Sequence, residues 1–208
     1  SLRPEDEVAR LGGDEFAVIT QPESAPDFPE VLFARYLTAF TEPFTVRGNR
    51  IEMTASVGCT HAVPHSISAD EMVRMADLAL YDAKAVGHGR MSSFTQSMSM
   101  RARERSSLLA DLARAIDNEE FLYHYQPQHD VRTGRVVATE ALLRWQHPTR
   151  GLLVPADFLD VALESGLIVP IGEVMLRRAC RELSRLGRGV RLAVNVSEAE
   201  LGAAGFLA

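Results

Sequence analysis

Residues 92–105, SSFTQSMSMRARER, carry clustered Ser and Arg and no apolar stripe, so the apolar patterns on either side cannot form one uninterrupted run of core elements. The segment reads as an exposed linker open to helical winding. It divides the chain into residues 1–94, a linker at 95–106 and residues 107–208. Strand and helix patterns are mixed within each half, which gives an α/β or α+β class.

In the first half, Val8 to Thr20 reads as strand, glycine turn, strand, with Phe16 and Val18 on one face and Ala17 and Ile19 on the other. VLFARYLTAF (31–40) has helical spacing, and NRIEMTASVGCTHA (49–62) alternates as one strand. Ser68 and Glu71 form a capping box ahead of Met72, Met75, Ala79 and Ala83, and Gly87 stands where a left-handed cap would end the helix. In the second half, Leu108, Leu109, Leu112, Ala113 and Ile116 make an amphipathic helix. FLYHYQPQHDV and RVVATEALLRW follow as strands joined by a Thr133–Gly134 turn. DFLDVALESG and EVMLRRACRELSRL read as helices and VRLAVNVS as a strand, a succession suited to an α/β barrel or sheet.

Composition narrows the function classes. With 208 residues and 46% hydrophobic positions the chain can bury a core, and no run approaches the roughly 18 apolar residues of a membrane span. No signal sequence precedes the first strand, and the two cysteines, Cys59 and Cys180, have no metal or disulfide spacing, so a soluble protein of the reducing cytoplasm is expected. A net charge of -6 and a pI near 5.5 provide no attraction to a nucleic acid polymer, so a phosphate ligand would depend on metal ions or locally placed Arg and Lys. SLRPEDEVARL runs at once into a strand and AELGAAGFLA ends just after one, so the chain reads as a fragment cut through two domains.

Two constellations could carry chemistry. ARLGGDEFAVIT places Asp14 and Glu15 after Gly12 and Gly13 at a hairpin tip. Adjacent carboxylates repel, and a hard cation such as Mg2+ relieves them; a solvated turn is the other reading. In EALLRW, Glu140, Leu142 and Arg144 share a strand face, with the carboxylate and guanidinium roughly 13 Å apart at about 3.3 Å per residue. One can hold a metal and the other a phosphate, or both can form an ordinary surface charge pair.

ARLGGDEFAVIT, SVGCTHA and ADLALYDAKAVGHGR, in that order, resemble the C-terminal part of a GGDEF domain, the diguanylate cyclase family. The resemblance implies a nucleotidyl-cyclase-like palm of ferredoxin-like α+β form, in which two paired subunits condense two GTP to cyclic di-GMP with Mg2+ or Mn2+. It implies Asp14 and Glu15 as metal-holding catalytic carboxylates, Gly12 and Gly13 beside the nucleotide, and Lys84 on phosphate. Arg3 and Asp6 form an RxxD with five residues between Asp6 and Gly12, which resembles the family's inhibitory product site. Where the family usually has Gly-Arg, this chain has Gly87-His88, with Arg90 the nearest substitute cation.

YHYQPQHDVRTGRVVATEALLRWQHPTRGLLVPADFLDVALESGLIVPIG resembles the start of an EAL domain. Such domains are cyclic di-GMP phosphodiesterases on a modified β/α barrel, opening the cycle to linear pGpG by metal-assisted hydrolysis. The resemblance implies Glu140 as catalytic metal ligand, Asn195 as a further ligand, Arg144 on phosphate and Gln126 lining the pocket. Ala138 and Leu163 depart from the usual Gly and acidic residue. The expected whole is a tandem GGDEF–EAL protein, a homodimer when complete, that turns over cyclic di-GMP in the cytoplasm and could be membrane-anchored upstream. The expected fragment is inactive alone, since each site has part of its ligands. The alternative is a non-catalytic receptor for GTP or cyclic di-GMP.

Overall fold

A computed structural model describes residues 2–21, 28–40, 42–61, 66–184 and 190–204. It separates into two compact units, residues 1–102 and 103–208, and is α/β throughout.

In the first unit, β1 (Glu7–Gly12) and β2 (Glu15–Ile19) pair as an antiparallel hairpin with Arg10 opposite Phe16 and Gly12 opposite Glu15. Helix α1 (Phe28–Thr38) starts before the expected residue 31. The single strand expected over 49–62 is two: β4 (Asn49–Ile51) pairs antiparallel with β3 (Phe44–Val46), and β5 (Val57–Cys59) pairs elsewhere; Ala62 lies outside the described residues. One alternating run thus serves two sheets, because the intervening 52–56 segment forms no ladder.

Helix α2 (Ala69–Val86) opens on Ser68, whose side chain accepts from the Glu71 backbone N–H at 3.2 Å, and its buried face is Ala79 and Ala83 as the spacing predicts. It returns the chain to β6 (Met91–Ser93), which pairs parallel with β5. Gly87 caps α2 as expected, its N–H donating to the Lys84 carbonyl, but at φ 139° and ψ 157° it takes a positive-φ conformation open mainly to glycine and not the left-handed helical one. Gly58 fixes how closely α2 lies on β5. A Cβ there would sit 2.1 Å from both the Ala76 carbonyl oxygen and the Leu80 nitrogen, backbone atoms that no rotamer change can move. Gly58→Ala is therefore expected to lift α2 off the sheet at a cost of at least about 1–3 kcal/mol. The check is hydrogen exchange of the α2 amides, which lose protection if the helix is displaced and keep it if the close approach is unimportant.

Helix α3 (Gln96–Ala115) takes in the residues expected as a linker and the amphipathic helix expected after it. Its first turns are not wholly exposed: Met98 and Ser99 are buried, Arg74 donates to Ser99 at 3.4 Å, and Arg101 pairs with Asp82 at 3.2 Å. Polar contacts take the place of an apolar stripe there.

In the second unit, β8 (Val136–His147) pairs antiparallel with β7 (Phe121–His129) and β9 (Gly151–Leu153), and parallel with β10 (Arg191–Val194). The parallel return from β8 to β10 runs through α4 (Pro155–Glu164) and α5 (Ile168–Leu183). Helix α5 begins at Ile168, not at the expected Glu173, because Pro170 falls in the first turn, where its missing N–H costs no helical bond. Of the helix expected to continue through residue 186, Arg185 and Leu186 lie outside the described residues. A short α6 (Glu198–Leu201) follows β10.

The two faces of β8 differ. Thr139, Ala141, Trp145 and His147 are buried on the helix side, while Glu140, Leu142 and Arg144 stand half-buried on the other. The core joins Leu108, Leu112 and Ala115 of α3, Phe121, Trp145, Phe158, Val161 and Ala162, and Ile168, Ile171 and Met175 of α5. The Trp145 indole N–H donates to Glu120 at 2.8 Å, so the deepest aromatic buries no unmet donor. His147 Nδ1 accepts the backbone N–H groups of Thr149 and Arg150, each at 3.2 Å, leaving Nε2–H to face Asp111 at 3.2 Å. Burial pushes the Asp111 carboxyl up, but hydrogen bonds from His147 and Arg114 outweigh it and hold the group below the usual carboxylate range.

Candidate functional site

The hairpin tip of the first unit presents Gly12, Gly13, Asp14 and Glu15 to solvent. Arg10 braces it, donating to the Gly13 carbonyl from Nε at 3.1 Å and Nη2 at 2.7 Å, with its guanidinium 6.0 Å from the Phe16 ring centroid. Both acidic side chains are exposed, and carboxylate oxygens suit Mg2+. Lys84 is exposed near the end of α2, and among the described residues no hydrogen bond or ion pair joins it to the tip.

Asp6 of the RxxD sequence is committed within its own unit. Its Oδ2 accepts the Arg3 backbone N–H at 2.7 Å and faces Arg35 Nη2 at 3.2 Å, with no exposed side-chain surface. The neighbouring Thr20 hydroxyl, the Arg3 N–H and the charge of Arg35 hold its carboxyl below the usual range against desolvation. Thr20 Oγ1 and Asp6 Oδ1 are both buried, and among the described residues neither has a formed hydrogen-bond partner. The Arg35 partnership spans 29 residues and has no local signal in the sequence.

The open face of the second unit assembles more of its expected residues. In register, Gln126 of β7 and Ala193 of β10 flank Glu140 on either side. Asn195, just past the end of β10, donates its amide Nδ2 to Glu140 Oε1 at 2.8 Å. A carboxylate and an amide carbonyl are hard oxygen donors and fit Mg2+ or Mn2+. They are two donors of a larger shell: among the described residues no group of three or more His, Cys, Asp or Glu could hold a metal. Arg144 is on the same face but apart, its Nη1 donating to the Leu143 carbonyl at 2.7 Å.

One neighbour was not singled out from the sequence. His124 pairs with Leu142, between the Gln126–Glu140 and Leu122–Arg144 rungs, so alternation along β7 puts its exposed imidazole on the same face as Glu140. That two-residue step from Gln126 is the signal that could have found it. On the opposite face, burial and then the charges of Glu200 and Glu182 push the Tyr123 hydroxyl up to about 12. Burial and the hydrogen bond from Tyr125 to Glu182 push Tyr125 up as well. Both phenols stay neutral beneath the sheet.

Comparison with known proteins gives these faces a family. The family model "EAL domain" matches residues 109–208, and the model "Diguanylate cyclase, GGDEF domain" matches residues 1–90. The chain is 34% identical over 211 residues to the bifunctional diguanylate cyclase/cyclic di-GMP phosphodiesterase MucR of Pseudomonas aeruginosa, covering 100% of this chain and 31% of that protein. It is 37% identical over 203 residues to the cyclic di-GMP phosphodiesterase PdeR of Escherichia coli, covering 96% and 30%. A solved structure of the MucR phosphodiesterase in complex with cyclic di-GMP is 40% identical, covering 49% of this chain and 42% of that one at a TM-score of 0.45. The chain spans about a third of the length of these two curated relatives. With the two family models matching residues 1–90 and 109–208, and similarity to these relatives along nearly the whole of this chain, the chain belongs to the GGDEF–EAL proteins.

Proposed function

We propose that the second unit contributes to a phosphodiesterase site that hydrolyses cyclic di-GMP to linear pGpG. The observation that carries the reading is the 2.8 Å contact between Asn195 and Glu140, residues 55 apart that the parallel β8–β10 pairing brings to one sheet face. Glu140 and Asn195 would hold Mg2+ or Mn2+, which when bound supplies Lewis acidity toward phosphate and water. Arg144 offsets phosphate charge from the same face, swinging away from the Leu143 carbonyl to do so. Gln126 supplies an amide beside Glu140 that orients the ligand, and His124 lines the same face.

The first unit contributes to a cyclase site for two GTP, in a homodimer. Asp14 and Glu15 hold the metal, Gly12 and Gly13 let the nucleotide approach the backbone, Lys84 contacts phosphate, and Arg3 with Asp6 forms the inhibitory product site. GTP as substrate places the reaction in the cytoplasm. Among the described residues no helix is long and apolar enough to cross a membrane.

The test uses the full-length protein with cyclic di-GMP and Mg2+, following pGpG by chromatography. Metal-dependent pGpG formation that a chelator stops and added Mg2+ restores is the expected result. Binding of cyclic di-GMP without turnover in Mg2+ or Mn2+ would overturn the enzyme reading and leave a receptor.

A further inference from the structure

The turn after Asn195 is held from a distance. Ser197, two residues on, caps α6: its Oγ accepts the Glu200 N–H at 3.3 Å, while Glu200 Oε2 accepts from the Ser197 N–H at 2.8 Å and from its hydroxyl at 2.5 Å. A helix of four residues, Glu198–Leu201, cannot persist on its own hydrogen bonds, so this reciprocal cap has to be supported by packing. The support is Gly172 near the N-terminal end of α5. Glu200 is 7% exposed, and a Cβ on Gly172 would lie 1.8 Å from its Oε1, 2.7 Å from its Cδ and 3.1 Å from its Cγ. Three atoms of one side chain occupy the space that any larger residue at position 172 would need. The carboxylate cannot swing aside without releasing Ser197, because its other oxygen carries both Ser197 bonds.

We infer that Glu200 is a positioning residue for Asn195, seated by Gly172 and acting through the Ser197 cap. The inference rests on the reading of Asn195 and Glu140 as metal-holding residues. Its physical content is that α5, buried in the core through Ile168, Ile171 and Met175, sets where the strand end carrying Asn195 stops relative to Glu140. Glutamine at position 200 keeps an acceptor oxygen for Ser197, whereas alanine removes it. Alanine at position 172 expels the Glu200 carboxylate, but only while a long side chain occupies position 200.

The experiment measures equilibrium Mn2+ binding to the full-length protein from the free-ion electron paramagnetic resonance signal, with binding lost in Glu140→Gln defining this site. Glu200→Ala and Gly172→Ala are expected to weaken Mn2+ binding about 10–100-fold, as groups that orient a metal's ligands commonly do, while Glu200→Gln stays close to the unmodified protein. In the Glu200→Ala background, adding Gly172→Ala should cost nothing further, because the new methyl enters the space the carboxylate left. A purely structural role would instead lower the urea midpoint read from Trp145 fluorescence while leaving the Mn2+ affinity of the folded protein unchanged; that pattern overturns the inference. Asn195→Ala separates the two levels. If it leaves Mn2+ binding unchanged, the metal reading itself fails. If it weakens binding while Glu200→Ala and Gly172→Ala do not, the metal reading stands and the positioning role is wrong.

Discussion

Phe158→Ala is expected to lower the stability of the second unit by about 3–5 kcal/mol, the usual cost of removing a fully buried aromatic side chain. Phe158 is 1% exposed, with its ring centroid 6.0 Å from that of Phe121 and 5.5 Å, edge to face, from that of Trp145. Its loss leaves a cavity against two rings, one held through its indole nitrogen and the other carried on a backbone that is itself hydrogen-bonded. Trp145 is held by its bond to Glu120, and Phe121 opens β7, where its carbonyl accepts from Arg178 at 2.9 Å. The indole cannot collapse into the space without giving up its hydrogen bond, so the cost belongs at the upper part of that range. The chain has a single tryptophan, so Trp145 fluorescence in a urea titration reports the second unit alone. The midpoint should fall with little change in slope. An unchanged midpoint would mean that the three-ring cluster is not the centre of this core.

Glu140→Gln has the opposite profile, a large loss of activity with little loss of stability. Glu140 is half-buried on the open face of the sheet, and its hydrogen bond to Asn195 is one that a glutamine carbonyl can also accept. What glutamine cannot supply is the negative charge that holds a divalent cation. The expected fall in cyclic di-GMP hydrolysis is at least about a hundredfold, since even groups that only orient a metal's ligands account for about 10–100-fold. Product formation at saturating Mg2+ checks the activity, and Trp145 fluorescence in urea checks that the fold is retained. A comparable fall in both would reduce Glu140 to a structural residue.

How much of this was legible in the sequence depends on the distance over which each signal acts. The hairpin around Asp14, the helix capped by Ser68 and the strand that puts Glu140 and Arg144 on one face are local periodicities, and each appears where the spacing places it. Segmentation was less legible. The alternating run 49–62 does not say that its two ends, Asn49–Ile51 and Val57–Cys59, pair with different strands, because period-two alternation carries no information about partners. The Ser- and Arg-rich segment lacks an apolar stripe yet winds into α3, since contacts such as Arg101–Asp82 can hold a helix that apolar burial does not. The early start of α5 was hidden by Pro170, which breaks a helix interior but not a first turn.

The contacts that matter most for the site are the ones no local pattern encodes. Glu140 and Asn195 could be matched to a family's residues one at a time, but their meeting depends on the parallel return through α4 and α5. Asp6 and Arg35, and Gly172 and Glu200, are likewise products of packing between elements distant in sequence.

The central claim is that Glu140 and Asn195 act as one metal-holding unit in cyclic di-GMP hydrolysis, and a double-mutant cycle in the full-length protein tests it most directly. Initial rates of pGpG formation would be compared for Glu140→Gln, Asn195→Ala and the double variant across a range of Mg2+ concentrations. Residues that serve one ion are strongly non-additive, so the double variant should be scarcely slower than Glu140→Gln alone, and Asn195→Ala alone should recover as Mg2+ is raised. Hydrolysis by Glu140→Gln at the rate of the unmodified protein, or strictly additive losses with no dependence on Mg2+, would contradict the account.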